Sequence, residues 1–276
     1  MRLNSQTHSS KQTEKQPMNS HVDTTEITHI SLCSGYGGID LGLRRVVPSL
    51  RTVAYAEIEA FAVENLLARM EGGQLDAAPI WSDLKSFPWA EFFGMVDILS
   101  GGYPCQPFSA AGKRLGGEDP RHLWPFISAG IAVLRPGLCF FENVEGHISL
   151  GLPEVIEDLG GLGYRATWGI FSAAEVGAPH QRKRVFILAA NSNSNGMEGH
   201  WRGRLARSNR QGWQSCQATS DSEFAAIDWA SESASALIGA NDGGADWMDR
   251  VRLLGNGVVP ATAALAFRTL LKELAQ

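Results

Sequence analysis

Ile27-Thr28-His29-Ile30-Ser31-Leu32-Cys33-Ser34-Gly35-Tyr36-Gly37-Gly38-Ile39-Asp40-Leu41-Gly42 decides the architecture of this chain. Its first half is a short, apolar, β-branched run, Ile27 to Cys33, of the kind that forms a buried strand. Ser34 to Gly38 is a glycine-rich turn, and Gly38 to Val47 has helical character. Strand, glycine turn and helix in succession place backbone N–H groups at the rim of an open α/β sheet, where a ligand can meet them. The turn is not the full dinucleotide fingerprint, because the third glycine of GxGxxG falls at Asp40. Hydride-transfer chemistry loses support accordingly.

The same alternation continues outward from this unit. Further strands are expected over Thr52 to Glu57, Val96 to Leu99, Leu138 to Glu142, Arg165 to Phe171 and Val185 to Ala189. Helices are expected over Glu59 to Met70, Leu123 to Leu134 and Pro153 to Leu159, the last with proline at a suitable first position. This pattern predicts an α/β, doubly wound, Rossmann-like sheet with parallel pairing and βαβ crossovers. Residues 1–26 are polar and poor in large apolar side chains, so they read as a disordered tail. Residues 27–190 form the expected core domain. After Ala190 the chain turns irregular and rich in Gly, Ser, Arg, Trp and Ala, giving a second region at 191–247. Order returns at 248–276, where Leu265, Leu270, Leu271 and Leu274 suit a helix of about Ala261 to Leu274 packing back on the sheet.

With 44% hydrophobic and 19% charged residues the chain has enough apolar material for a sizeable core, which excludes disorder throughout. Cys33, Cys105, Cys139 and Cys216 are too scattered for a disulfide scaffold, and none has zinc-site spacing, so no metal is expected. No apolar run reaches the ~20 residues that span a bilayer. These features lead to the expectation of a soluble protein in a reducing cytoplasm, without membrane association. The net charge of -5 conceals an uneven distribution. Arg182, Lys183, Arg184, Arg202, Arg204, Arg207 and Arg210 are opposed only by Glu198, whereas every charge from Gln211 to Asp249 is acidic. A basic face can meet phosphates while the acidic stretch lies elsewhere; solvated loops of opposite sign are the plainer reading.

Glu57 closes the second strand about twenty residues after the glycine turn, where a carboxylate can accept hydrogen bonds from the two hydroxyls of a ribose. Asp83 stands at a comparable position, suited either to an adenine amino group or to a helix N-cap. Ser100-Gly101-Gly102-Tyr103-Pro104-Cys105-Gln106-Pro107-Phe108-Ser109 follows another strand. An isolated cysteine is most often a small buried hydrophobe. One flanked by prolines in a glycine-rich loop is poorly placed for core packing and can instead be held as a thiolate nucleophile.

This segment resembles the Pro-Cys-Gln motif of the DNA cytosine-C5 methyltransferases. Other segments are similar to the family's motifs in the family's order. Ser34 to Gly42 is similar to its first motif, with Cys33-Ser34 in place of the more usual Phe-Ala. Phe141-Glu142-Asn143-Val144 matches its Glu-Asn-Val motif. His180-Gln181-Arg182-Lys183-Arg184 is similar to its QxRxR motif, with His180 at the usual glutamine. Gly255-Asn256-Gly257-Val258-Val259-Pro260 is similar to its closing motif. The resemblance covers about Ile27 to Leu274.

The resemblance implies the fold of S-adenosylmethionine-dependent methyltransferases with a small, irregular target-recognition region at 191–247. It implies S-adenosylmethionine as cofactor, held around Ser34, Gly35, Tyr36, Gly37, Gly38, Glu57, Ile58, Asp83, Leu84, Pro104 and Asn256. It implies that Cys105 adds to cytosine C6, that Glu142 holds or protonates N3, and that Arg184 and, less directly, Arg182 contact the pyrimidine oxygen or order the site. A stacked base is out of reach of such groups, so the target cytosine is expected to be flipped out of double-stranded DNA. Gln106, Ser109, Lys113, Arg114 and Arg121 belong to a glycine-containing loop, Ser109 to Leu123, expected to close over it. Trp201, Arg202, Arg204, Arg207, Arg210 and Trp213 are expected near DNA. A monomer is expected, in the cytoplasm of a bacterium or a phage-infected cell, in one of three settings: restriction-modification beside a restriction endonuclease that forms no stable complex with it, a solitary host methylase, or phage self-protection.

The chain departs from the family pattern in one region. The Arg-Leu-Gln-Gly-Phe-Pro sequence that often precedes the closing motif is absent, and only about Asn191 to Ala245 remains for target recognition. Two alternatives follow: a binding homologue with weak or no turnover, and a cytosine-C5 methyltransferase acting on RNA. A protein that has lost turnover should show damage at Cys105, Glu142 or Arg184, and all three are in place.

Overall fold

The computed structural model describes residues 26–104, 122–192 and 257–276. The chain runs β1 (Ile27–Leu32), α1 (Gly38–Val46), β2 (Leu50–Ala56), α2 (Ala60–Glu71) and β3 (Ile80–Trp81), then β4 (Ile98–Gly101), α3 (Trp124–Leu134) and β5 (Leu138–Val144). It continues with α4 (His147–Leu150), α5 (Leu152–Gly161), β6 (Tyr164–Ser172), β7 (Lys183–Asn191) and α6 (Pro260–Leu274). Short 3-10 turns at Leu84–Ser86, Trp89–Phe92 and Ala173–Val176 fill the connections.

The strands form one sheet in the order β3-β2-β1-β4-β5-β7-β6. From β1 the chain works outward to β2 and β3, then crosses back to β4 on the other side of β1. The strand order therefore reverses between β1 and β4, and their carboxyl ends open a crevice where α/β proteins bind ligands. The expected Rossmann-like doubly wound sheet is present. Its expected parallel pairing needs correction, because β7 runs antiparallel to both β5 and β6. Only ten residues connect β6 to β7, too few for the helical crossover that a parallel return needs, so the chain folds back beside itself. β3 escapes the sequence pattern because it has only two residues. The first strand stops at Leu32, before Cys33, whose φ of 48° turns the chain out of the sheet.

Alternation along the strands sorts side chains to two layers. Ile27, Ile98, Leu138, Phe140, Phe186 and Leu188 face α1 and α6 and pack with Leu43, Phe267 and Leu270. Ile30, Leu32, Leu99, Phe141 and Ile187 face the other way, onto α3 and α5 through Ile127, Ile131, Val155 and Leu159. Val185 to Ala190 are all buried, the uninterrupted apolar run of a strand covered on both faces. α6 closes the first layer, with the Phe267 ring edge-on to Phe140 at a centroid distance of 5.2 Å.

Two glycines allow α1 to approach the α6 end of the chain. A Cβ on Gly38 would collide with Val258 O, and one on Gly42 would lie 2.5 Å from Pro260 O and 2.7 Å from Ala263 Cβ. The expected terminal helix is thereby seated directly behind the glycine turn of β1. Among the described residues no helix is long and apolar enough to cross a membrane.

Candidate active site

The crevice above β1, β2 and β4 is built from tight turns. After β1, Gly35 and Gly37 take φ values of 55° and 83°, left-handed backbone in which glycine escapes the Cβ clash. Ser34 N–H donates to Ala56 O at 3.2 Å and Gly37 N–H to Ser34 O at 2.8 Å, which folds the turn over the end of β2. Glu57, one residue past β2 and 8% exposed, accepts from Gly35 N–H through Oε2 at 2.7 Å and from Glu59 N–H through Oε1 at 2.9 Å. A carboxylate has about four acceptor sites, so each oxygen keeps room for a further donor such as a ribose hydroxyl. Space above the turn is open, since a Cβ at Gly35 would meet nothing within 4 Å.

Around Glu57 the structure divides the expected cofactor residues by exposure. Ile58 presents an apolar side chain that is 72% exposed, whereas Leu84 is buried in the core below. Asp83 caps the 3-10 turn after it, its Oδ1 accepting from Lys85 N–H at 2.9 Å. Trp81, 41% exposed, is a neighbour that the sequence patterns do not single out; its carbonyl accepts from Glu57 N–H at 2.9 Å. Its only sequence signal is a lone aromatic between two short turns. Tyr36 points into the protein. Its hydroxyl donates to Val258 O, and the Arg69 guanidinium lies 5.6 Å from its ring centre.

A second group of residues gathers beyond β4 and β5. Glu142 sits near the end of β5 and is 5% exposed. Arg184, on the neighbouring antiparallel strand, brings Nε to 2.8 Å from Glu142 Oε1. Burial pushes the Glu142 carboxyl up to about 7, against the opposing pull of the Arg184 and Arg182 guanidiniums. The acid is thus poised to hold or release a proton near neutrality. On its other side, Glu142 Oε2 faces Gly102 at the start of the β4 loop, where a Cβ would lie 3.0 Å away. Any side chain at Gly102 would crowd this oxygen.

Arg182 occupies a different position from Arg184. It has φ 27°, unusual for a residue with a Cβ, and its Nη2 donates to Gly257 O. Together with the bond from Tyr36 to Val258, this fastens the glycine turn and the entry to β7 to the segment leading into α6. Pro104 is exposed at the end of the described β4 loop. Asn143 supports that loop, its Nδ2 donating to Tyr103 O at 3.1 Å. Cys105, Gln106, Ser109, Lys113, Arg114, Arg121, Arg202, Arg204, Arg207, Arg210 and Asn256 lie outside the described residues.

Comparison with known proteins adds the family to this geometry. The family described as C-5 cytosine-specific DNA methylase matches residues 27–226. The chain belongs to that family. Among curated relatives, the Type II methyltransferase M.NgoMIV of Neisseria gonorrhoeae is 33% identical over 168 residues, 59% of this chain and 52% of the relative. The Type II methyltransferase M.NaeI of Lentzea aerocolonigenes is 32% identical over 171 residues, 59% of this chain and 40% of the relative. The matches thus span about half the length of these curated relatives. Two solved DNMT2 structures share the fold. The Spodoptera frugiperda protein, a mutant, superposes with a TM-score of 0.52 at 20% identity, over 62% of this chain and 51% of that one. The S. pombe Dnmt2 methyltransferase gives 0.51 at 23% identity, over 60% and 51%.

Proposed function

We propose that this member of the C5-methylase family transfers a methyl group from S-adenosylmethionine to C5 of a flipped-out cytosine in a short sequence of double-stranded DNA. The observation that carries the reading is the buried Glu142 paired with the half-buried Arg184, set against Gly102 at the start of the loop that leads to Cys105. The donor set above β1 and β2 fits the cofactor: Glu57 retains acceptor capacity for ribose hydroxyls, Ile58 offers an exposed apolar face to adenine, and the turn at Gly35 is open. Bound there, S-adenosylmethionine supplies an electrophilic methyl group.

Cytosine C5 is too weak a nucleophile to accept that methyl group unaided. The Cys105 thiolate donates an electron pair to C6, forming the S–C6 bond and moving the C5–C6 π electrons into the ring. Glu142 supplies a proton to N3 as negative charge develops there, a role suited to a carboxyl whose proton is lost only near pH 7. Arg184 holds that carboxyl in place, and its guanidinium can donate to the pyrimidine oxygen. Once C5 carries the methyl group, a base removes the C5 proton. The C–H electron pair restores the C5–C6 double bond, Cys105 leaves as thiolate with the C6–S electron pair, and N3 returns its proton to Glu142.

Residues 191–247, with Arg202, Arg204, Arg207 and Arg210, are assigned to target recognition in this reading, and Lys113, Arg114 and Arg121 to phosphate contacts near the flipped base. The relatives are Type II methyltransferases, which supports a role in restriction-modification; in this reading the protein acts as a monomer in the bacterial cytoplasm, beside an endonuclease that it does not bind stably. The test is methyl transfer from labelled S-adenosylmethionine to unmethylated genomic DNA, with RNA in parallel and Cys105→Ala as control, followed by base-resolution mapping of 5-methylcytosine. Label at one short DNA motif, lost in Cys105→Ala, is expected. Label confined to RNA, or retained by Cys105→Ala, overturns the reading.

A further inference from the structure

Tyr103 and His147 are both 4% exposed, and neither belongs to the acid, the nucleophile or the cofactor crevice. Tyr103 Oη lies 3.0 Å from His147 Nε2. The tyrosine ring is wedged among Trp124, Phe141 and the His147 imidazole, with centroids 5.5, 5.9 and 5.6 Å away. Its backbone is held as well, by Asn143 Nδ2 on its carbonyl. The Asn143 amide is itself oriented, because its Oδ1 accepts from Val144 N–H at 2.9 Å. Tyr103 is therefore gripped at both ends by one short segment, residues 143–147, which begins immediately after Glu142.

We infer that Tyr103 and His147 form a positioning pair that fixes how the chain leaves β4 toward Pro104 and Cys105, relative to Glu142. The inference rests on the proposed role of Cys105. Its support is the poor return that this bond gives to the fold. A buried phenol and imidazole must both be desolvated, and His147 Nδ1 is buried with no hydrogen-bond partner among the described residues. A phenylalanine facing a leucine would fill similar space without an orphaned atom. Burial also brings the His147 pKa down to about 4, so the ring stays neutral and the bond keeps one character across the pH range of neutral solution. The ring is seated with little freedom. A Cβ on Gly151 would lie 2.5 Å from His147 Cε1 and 2.9 Å from Nδ1.

The experiment compares Tyr103→Phe, His147→Leu and His147→Gln with the parent in the full chain. It measures kcat, KM for S-adenosylmethionine, thermal stability, and the rate at which iodoacetamide alkylates Cys105, read by peptide mass spectrometry with Cys105→Ala as blank. Losing the bond in Tyr103→Phe or His147→Leu should lower kcat by roughly three- to tenfold, leave KM within about twofold and shift the alkylation rate by a similar factor to kcat. His147→Gln retains an acceptor for the phenol and should recover most of both. Combining Tyr103→Phe with His147→Leu should cost no more than either alone, because the two remove one interaction. An unchanged alkylation rate in both single variants, or additive losses in the double variant, overturns the pair. If Tyr103→Phe fails to fold, the His147 variants carry the comparison. Absence of methyl transfer in the parent chain would count against the proposed function, while the alkylation rates would still decide the positioning role.

Discussion

Glu142 is buried beside a guanidinium, yet its carboxyl titrates near 7 because the cost of desolvation outweighs the attraction of Arg184 and Arg182. The folded-state pKa is raised above the ordinary 4.5, so the folded protein holds this proton more tightly than the unfolded chain. Its contribution to stability is fully present below pH 4.5 and is lost as pH rises through about 7. Glu142→Gln removes the titration and keeps the shape. Denaturation measured at pH 5 and pH 8 should show the variant gaining on the parent at the higher pH, and an equal difference at both would refute the raised pKa. Methyl transfer by the same variant should fall by about 10²–10⁴, the usual contribution of a positioned acid or base. Parent activity should decline above about pH 7 as the carboxyl loses its proton. At this scale Glu142 and Arg184 were legible because their strand-end motifs carried them. The inward tie of Tyr36 was not, since its partner, Val258, is 222 residues away, and nothing local to Tyr36 announces that carbonyl. Asp83 was legible only as a choice between ligand and cap, and a turn of three residues decided for the cap without consuming its second oxygen.

Helices α1 and α5 make the same substitution work in opposite directions. Gly42 in α1 faces Pro260 O and Ala263 Cβ, so Gly42→Ala forces the helix away from α6 and should destabilise by about 1–3 kcal/mol, an overpacking cost larger than alanine's helical advantage. A Cβ on Gly160 in α5 would meet nothing within 4 Å, and Gly160→Ala should stabilise by about 0.5–1 kcal/mol. Chemical denaturation of the two variants tests the contrast, and a common sign would show that α1 can shift without cost. Neither sign could be read from the sequence, where Gly42 lies inside an expected helix and Gly160 just past the end of one. Apart from α4, whose four residues are too short for a period, the described helices were legible to within a residue or two because amphipathic spacing is local. The direction of β7 was not legible, because it depends on whether the ten residues after β6 can carry a crossover, and the apolar run Val185 to Ala190 fits a parallel or an antiparallel neighbour equally.

Across the whole molecule, the first and last described segments close on one another around the crevice. Tyr36 and Arg182 bond to the carbonyls of Val258 and Gly257, and Gly38 admits the Val258 carbonyl against its Cα. α6 then covers the sheet face behind that junction, with Phe267 against Phe140 and Leu270 near Gly169. Cofactor affinity and global stability should consequently respond to different parts of one contact. Tyr36→Phe removes a hydrogen bond from the turn but leaves the ring packed, so titration calorimetry should give severalfold weaker S-adenosylmethionine binding with thermal stability little changed. Phe267→Ala opens a cavity in the core under β5 and should cost about 3–5 kcal/mol. If α6 is an integral layer, urea unfolding of Phe267→Ala, followed by tryptophan fluorescence and by circular dichroism, should remain one coincident transition at a lower midpoint. A separate early transition seen by one probe would mean that α6 docks on a sheet that is stable without it. In that case the ties from Tyr36 and Arg182 would fasten a removable cover, and cofactor binding would be lost before the fold.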